Sequence, residues 1–380
     1  MAASRQLSWL EAVFDMAGLT APQLQQVRRW GPACFTAACA WLLLLIVGEA
    51  PIARATGLAL AVMGVTAGMR PMGLVASVAG GLTLTLSPVF WSQAAGAVTQ
   101  PGSIVIAAIL AAIALFCASF LLKRHELALG LVIVLFAVIF WSQISAAQSL
   151  RLTVLVVAWL LFLLIDMLML TNPRPGFKPP QSPQRWHLAG IPLLFAVGTL
   201  NDPLVTLFVA AILLALLLSY ARLPGWYWLG ILAIAVAGAY LLAQTYLLAE
   251  SPLLLPLGWR DAQRWLALGE YPLAQFGWVG IALACVGVAR LARWYPPLGT
   301  VTIIAFASYM LFGLTYIGSH RDVLLLPLII IQVIWMTYAV NSISQWVNKS
   351  LKNKAGLWIH LVSALYLALP ALLLLEVLQI

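Results

Sequence analysis

Eight ionisable residues stand where chemistry could be done: Glu49, Asp166, Asp202, Arg260, Arg264, His320, Arg321 and Asp322. Gly318-Ser319-His320-Arg321-Asp322 is a dense polar cluster between two long apolar runs. An arginine there can hold a phosphate through paired N–H donors, and a histidine or carboxylate beside it can move a proton. An ordinary polar loop with a local Arg–Asp contact would read the same way. Arg260 and Arg264 are one helical turn apart, so two guanidiniums could clamp one anion. Arginines beside Trp259 and Trp265 also suit interfacial snorkelling. Glu49 follows the first long apolar run and is either a general base or a solvated helix-end carboxylate. Asp202, in Asn201-Asp202-Pro203, falls where a helix must turn. Asn and Asp favour turns before proline, and an acid at that place could also line a cavity. Asp166, in the run LLIDMLML, is the clearest acid within an apolar stretch. Such acids are candidates for function, although this one lies near the end of its run, where it can stay hydrated.

Other chemistries lack their residues. The four histidines include no pair at i, i+4 and none at metal- or haem-ligating spacing. The four cysteines all fall inside apolar runs, where a thiol behaves as a small hydrophobe. There is no phosphate-binding loop or dinucleotide fingerprint, and His320-Arg321-Asp322 lacks the strand, Gly-rich and metal-binding surroundings of a kinase. Neither a cofactor nor a metal is expected, and there is no chain of buried acids such as a proton pump needs.

The elements that must position these residues are membrane spans. Asp, Glu, Lys and Arg make up 8% of the 380 residues, hydrophobic residues 63%, and the mean hydropathy is +1.02. Runs such as Ser103–Leu122, Val323–Val340 and Leu357–Leu375 are long enough to cross a hydrocarbon layer of about 30 Å as helix. A backbone in lipid must satisfy its own hydrogen bonds, so the expected fold is an all-α polytopic membrane protein of 11 to 13 helices. The formal charge of +9 is spread one to three residues per loop. It therefore reads as a topology signal rather than a nucleic-acid surface.

Spans are expected near 33–48, 55–69, 72–90, 103–122, 126–143, 152–170, 188–200, 203–220, 226–248, 274–291, 298–317, 323–343 and 356–377. With the N-terminus cytoplasmic, fifteen basic residues fall inside: Arg5, Arg28, Arg29, Arg70, Lys123, Arg124, Arg174, Lys178, Arg185, Arg222, Arg290, Arg293, Lys349, Lys352 and Lys354. Arg54, Arg151, Arg260, Arg264 and Arg321 fall outside. Reading 188–220 as a single span would put Lys349, Lys352 and Lys354 outside, so the positive-inside rule favours a hairpin there. Residues 1–32 are expected to form a cytoplasmic amphipathic arm, with Leu7, Leu10, Val13 and Phe14 on one face. A Pro-rich linker at 171–187, with five prolines in seventeen residues, divides a half at 33–170 from a half at 188–380. The outer loop 249–273, with Trp259 and Trp265, is expected to carry a short interfacial helix. Phe90-Trp91-Ser92-Gln93 recurs as Phe140-Trp141-Ser142-Gln143, a pattern of either a duplicated hairpin or two interfacial aromatics.

In context the first copy reads Ser87-Pro88-Val89-Phe90-Trp91-Ser92-Gln93-Ala94. It resembles the Ser-Pro-x-Phe-Trp-x-Gln-Ala stretch of bacterial relatives of protein O-mannosyltransferases, in the GT-C superfamily of membrane glycosyltransferases. Gln275-Phe276-Gly277-Trp278-Val279-Gly280, with Gly287 and Arg290, then Tyr316, Asp322 and Pro327, is similar in order and spacing to the family's late region. The matches span about two thirds of the chain. The resemblance implies transfer of a sugar from a polyprenyl-phosphate carrier outside the bacterial cytoplasmic membrane. A first-loop carboxylate would act as base and outer arginines would hold the phosphate. The sequence departs from the family where the chemistry sits. The first outer loop is only Glu49–Arg54, its long acid-bearing counterpart is missing, and Glu49 is the single acid in that place. The expected role is thus a catalytically degenerate GT-C-like scaffold. It would bind membrane lipids, including polyprenyl phosphate, and pack with other membrane subunits, for example in a respiratory or photosynthetic electron-transfer assembly. An active glycosyltransferase is the alternative, and a secondary transporter is a third reading.

Overall fold

The computed structural model describes residues 21–94, 151–172, 181–219, 223–248, 253–319, 321–351 and 357–378. The spans expected at 103–122 and 126–143, the second Phe-Trp-Ser-Gln copy, the face of Leu7, Leu10, Val13 and Phe14, residues 173–180 of the Pro-rich linker and His320 lie outside them. Helix α1 (Ala21–Ile46) carries Pro32 in its interior. The boundary expected at 32/33 therefore falls inside a helix. Pro32 removes one ladder donor but does not end the helix, because the apolar run that follows has no other way to satisfy its backbone in lipid. Next come α2 (Ile52–Met69), a 3₁₀ turn (Arg70–Met72), α3 (Leu74–Leu86) and α4 (Pro88–Ser92). The single span expected at 72–90 is two helices. Pro88 pushes Ser87 into an extended conformation, φ −65° and ψ 134°, and then opens α4 at the position proline prefers.

After α5 (Arg151–Thr171) and α6 (Arg185–Asn201), a 3₁₀ segment (Pro203–Phe208) leads into α7 (Val209–Leu218). Then follow α8 (Gly225–Tyr246), a 3₁₀ turn (Gly258–Arg260), α9 (Ala262–Trp294), α10 (Pro296–Thr315), α11 (Arg321–Leu324), α12 (Leu326–Ser350), α13 (Leu357–Leu365) and α14 (Ala368–Val377). No strand occurs among the described residues; one isolated bridge joins Leu254 to Tyr316. Among the described residues seven helical segments are long and apolar enough to cross a membrane, and two shorter apolar helices accompany them. The chain is an all-α polytopic membrane protein.

Side-chain contacts sort the helix ends into two layers. At one end, Asp166 of α5 meets Arg29 of α1 and His187 of α6. Asn172 donates to the Leu218 carbonyl, Tyr227 to that of Leu188, and Tyr295 to those of Leu168 and Asn172. At the other end, Thr153 meets Asp202, Arg54 meets Ala94, Tyr246 meets Tyr316, and Arg264 meets Leu314. Chain direction thus reverses between α6 and α7, so 185–218 is a hairpin. Asn201, Asp202 and Pro203 form its turn, as the charge pattern required. The first layer holds Arg29, Arg70, Arg185, Arg290, Arg293 and Lys349 and is called the basic end. The second, called the acidic end because most of the described acids are there, holds Glu49, Asp202, Asp261, Glu270 and Asp322 together with Arg54, Arg260, Arg264 and Arg321.

Helix α12 is the axis of the bundle. Its apolar window is 89% buried, against 17% for α8 on the rim. It runs against α9 so closely that a Cβ on Gly287 would stand 1.9 Å from the Trp335 carbonyl oxygen. Only a residue without a side chain permits that approach, the usual device for close helix pairs in lipid. Helix α9 contains 33 residues, and drawn straight it would be about 50 Å long. It breaks instead at Gly277, where φ is 61° and ψ −170°, a conformation that favours glycine. A helix does occur in the 249–273 stretch, where a short one was expected. It runs from Ala262 to the break, and a second helical part follows to Trp294.

Candidate functional site

At the basic end, Asp166 accepts from two sides. His187 Nε2 is 3.2 Å and Arg29 Nη2 3.4 Å from its Oδ2. His187 is fully buried, and its Nδ1 accepts the Gln184 N–H, closing the N-terminal turn of α6. That bond places the ring proton on Nε2, where it donates to the carboxylate. Both ring nitrogens are thus occupied, and neither is available to take a proton from a substrate. Arg70 lies in the same field: burial lowers its pKa, Arg29 lowers it further, and Asp166 opposes both. Trp30, Trp159, Phe162 and Trp186 form a chain of ring contacts beside the cluster. The cluster ties α1, α5 and α6 together through one shared carboxylate.

At the acidic end, Asp202 is buried and held by neutral donors. Its Oδ1 accepts the Leu204 N–H at 3.0 Å, capping the 3₁₀ segment, and its Oδ2 accepts the Thr153 hydroxyl at 3.0 Å. Asn201 donates to the same hydroxyl. Tyr246 and Tyr309 lie within its electrostatic range, and Tyr309 donates to the Leu204 carbonyl. Arg264 donates from one nitrogen to the carbonyls of Leu314 and Tyr316, at 3.0 and 3.2 Å. It thereby satisfies acceptors left over at the end of α10. Asp261 caps α9 by accepting the Gln263 N–H and lies 3.8 Å from Arg264 Nε. Arg260 is exposed, over the Trp259 ring.

Arg321 is half-buried, and its Nη2 has no hydrogen-bond partner among the described residues. Burial lowers its pKa, Asp322 raises it and Arg264 lowers it. The Asp322 side chain is exposed, while its backbone carbonyl accepts the Tyr271 hydroxyl. Glu49 is exposed in the turn between α1 and α2, with φ at 48°. Arg260, Arg264, Arg321 and Asp322 therefore share the rim formed by α9, α10 and α11, and Asp202 is buried in the α6–α7 turn. None of these residues lines either of the two cavities described below.

Several polar residues gain a role that their sequence setting concealed. Arg54, read as a loop cation, is buried in the first turn of α2 and donates to the Ala94 carbonyl. His187, on the next helix, and Arg29, 137 residues back in the chain, are the partners of Asp166. Gln275 accepts the Val89 N–H at 2.9 Å, which joins the Ser87–Ala94 stretch to the Gln275–Gly280 stretch. A glutamine inside an apolar run was a readable signal for that last bond. Of the two cavities, one of about 160 Å³ lies among α9, α10 and α12, and one of about 10 Å³ lies near Pro71 and Tyr295. Among the described residues no group of three or more His, Cys, Asp or Glu could hold a metal ion. No protein-family model matches this chain, and neither a curated protein nor a solved structure matches it.

Proposed function

We propose that this protein is an accessory subunit of a larger membrane assembly, built on a GT-C-like scaffold that has lost sugar transfer. The reading is supported above all by how the polar groups of the acidic end are used. Arg264 holds the last carbonyls of α10, Asp202 holds the turn of a hairpin, and Asp261 starts α9. A transferase would need such groups free to stabilise a departing phosphate and to take a hydroxyl proton. The short loop carrying Glu49 and the exposed apolar faces of α8 and α9 fit a subunit that packs in lipid against other subunits. The assembly we favour is a respiratory or photosynthetic electron-transfer complex in a bacterial cytoplasmic membrane.

One observation favours the second reading, an active transferase. Arg321 Nη2, beside Arg264 and without a hydrogen-bond partner among the described residues, has the chemistry to hold a carrier phosphate. Purification of the intact chain from native membranes in mild detergent separates the two. The subunit reading expects stoichiometric co-purification of other membrane proteins and no transfer from a polyprenyl-phosphate sugar. Robust transfer that is lost in Glu49→Gln would replace it with the transferase.

A further inference from the structure

The 160 Å³ cavity lies where the part of α9 before the break crosses α10 and α12. Trp265, Gly269, Phe306 and Met310, all at least partly exposed, form its mouth on the apolar surface of the bundle. Leu328 and Gln332 of α12 are among the buried residues of its floor. Gln332 is 3% exposed, and its Oε1 has no hydrogen-bond partner among the described residues. The neighbouring Tyr271 hydroxyl is already committed to the Asp322 carbonyl.

The cavity poses a specific chemical problem. A buried amide acceptor left unmet is costly. A lone water would be a weak answer, because an ordered internal water needs about two to four polar partners. A lipid acyl chain would fill the apolar volume and leave the amide unmet. The volume is close to that of an engineered cavity, about 150 Å³, that holds one benzene ring. Indole, phenyl and thioether groups at the mouth favour contact with an aromatic ring.

We infer that this cavity binds the hydroxylated ring of a membrane-dissolved phenol or hydroquinone. The ring lies among Trp265, Phe306 and Met310, and its hydroxyl bonds the Gln332 carboxamide. A hydroxyl both donates and accepts, so it satisfies the amide in either orientation. The inference stands independently of the accessory-subunit reading, since it rests on the shape and polarity of this cavity alone.

Fluorine NMR on the full chain in lipid nanodiscs tests it, with 4-fluorophenol and fluorobenzene as probes and empty nanodiscs correcting for partition. Both probes should bind saturably, the phenol roughly two- to ten-fold more tightly, the span of one net hydrogen bond. Gln332→Leu should erase that preference while fluorobenzene still binds. Gly269→Leu should weaken both probes, because a Cβ at Gly269 meets nothing within 4 Å and a larger side chain can occupy the mouth without a backbone clash. Absence of saturable binding, equal affinities in the unmodified protein, a phenol preference that survives Gln332→Leu, or binding undiminished by Gly269→Leu would each overturn the inference. A decyl-tailed hydroquinone then separates the sources. Displacement of 4-fluorophenol assigns the site to a tailed hydroquinone, and persistence of the bound probe assigns it to small phenols.

Discussion

Asp166 and Asp202 are both acids set among apolar helices, at opposite ends of the bundle, and they are held by opposite means. Asp166 faces a guanidinium and an imidazole N–H. Asp202 faces a backbone N–H and a hydroxyl, with no basic partner within ion-pair distance among the described residues. The first acid lies within reach of Arg29 and His187, where a charge can be neutralised by a charge. The second lies in a hairpin turn whose free N–H groups need an acceptor. Oxygen acceptors serve both purposes, but only the first depends on charge. The contrast separates an electrostatic tie between distant helices from a local backbone cap.

The largest effect should follow from removing the electrostatic tie. Asp166→Leu fills the same space but leaves Arg29 and His187 facing an apolar side chain. Breaking a fully buried ion pair costs about 3–5 kcal/mol. Arg29 is 38% exposed and can turn to solvent, so a loss of about 2–3 kcal/mol is expected after that discount. Equilibrium unfolding of the full chain in mixed micelles measures it. A change below about 0.5 kcal/mol, the size of an ordinary surface substitution, would mean that Asp166 is not the tie between α1, α5 and α6.

Asp202→Ala comes next, at about 1–3 kcal/mol, combining a lost cap with the lost partner of Thr153. Its signature is local: amide exchange should rise at Leu204 and in the segment up to Phe208 before the rest of the chain opens. Uniform exchange across all helices would contradict a local role. Arg264→Met should cost about 1 kcal/mol, because it keeps the apolar stem and removes only the donors to Leu314 and Tyr316. Unfolding in the same micelles would settle that value. A loss above about 3 kcal/mol would assign Arg264 a larger charge role than capping.

How far these roles were legible depends on the distance over which each residue acts. The fold class followed from apolar run lengths, because lipid allows a lone helix few alternatives. The hairpin at Asn201-Asp202-Pro203 followed from lysines more than a hundred residues away, because sidedness propagates along the chain. Asp202 as a turn acid was readable from Pro203 alone. The partners of Asp166 were hidden, since Arg29 and His187 reach it only after three helices pack. Arg54 was misplaced for a related reason: a cation beside Pro51 reads as loop until Ala94 supplies its acceptor. The break at Gly277 was concealed because a single glycine inside an apolar run is ordinary in membrane helices. Only the excess length of α9 demands it.

The smallest effect is the sharpest test of the comparison. Asp202→Asn preserves the shape and an oxygen that can accept the Leu204 N–H, and Asn caps a helix about as well as Asp. Its amide can turn so that the carbonyl oxygen faces that N–H, while the Thr153 hydroxyl rotates to accept from the new NH₂. If the carboxylate serves as a cap and no more, the substitution should change stability by less than about 0.5 kcal/mol, far below Asp202→Ala. Because the amide carries no charge, it should also remove the dependence of unfolding on pH that the Asp202 carboxyl contributes. A loss comparable with Asp202→Ala would show that the charge itself matters. Asp202 would then need a cationic partner, and the division between an electrostatic end and a capping end of this molecule would fail.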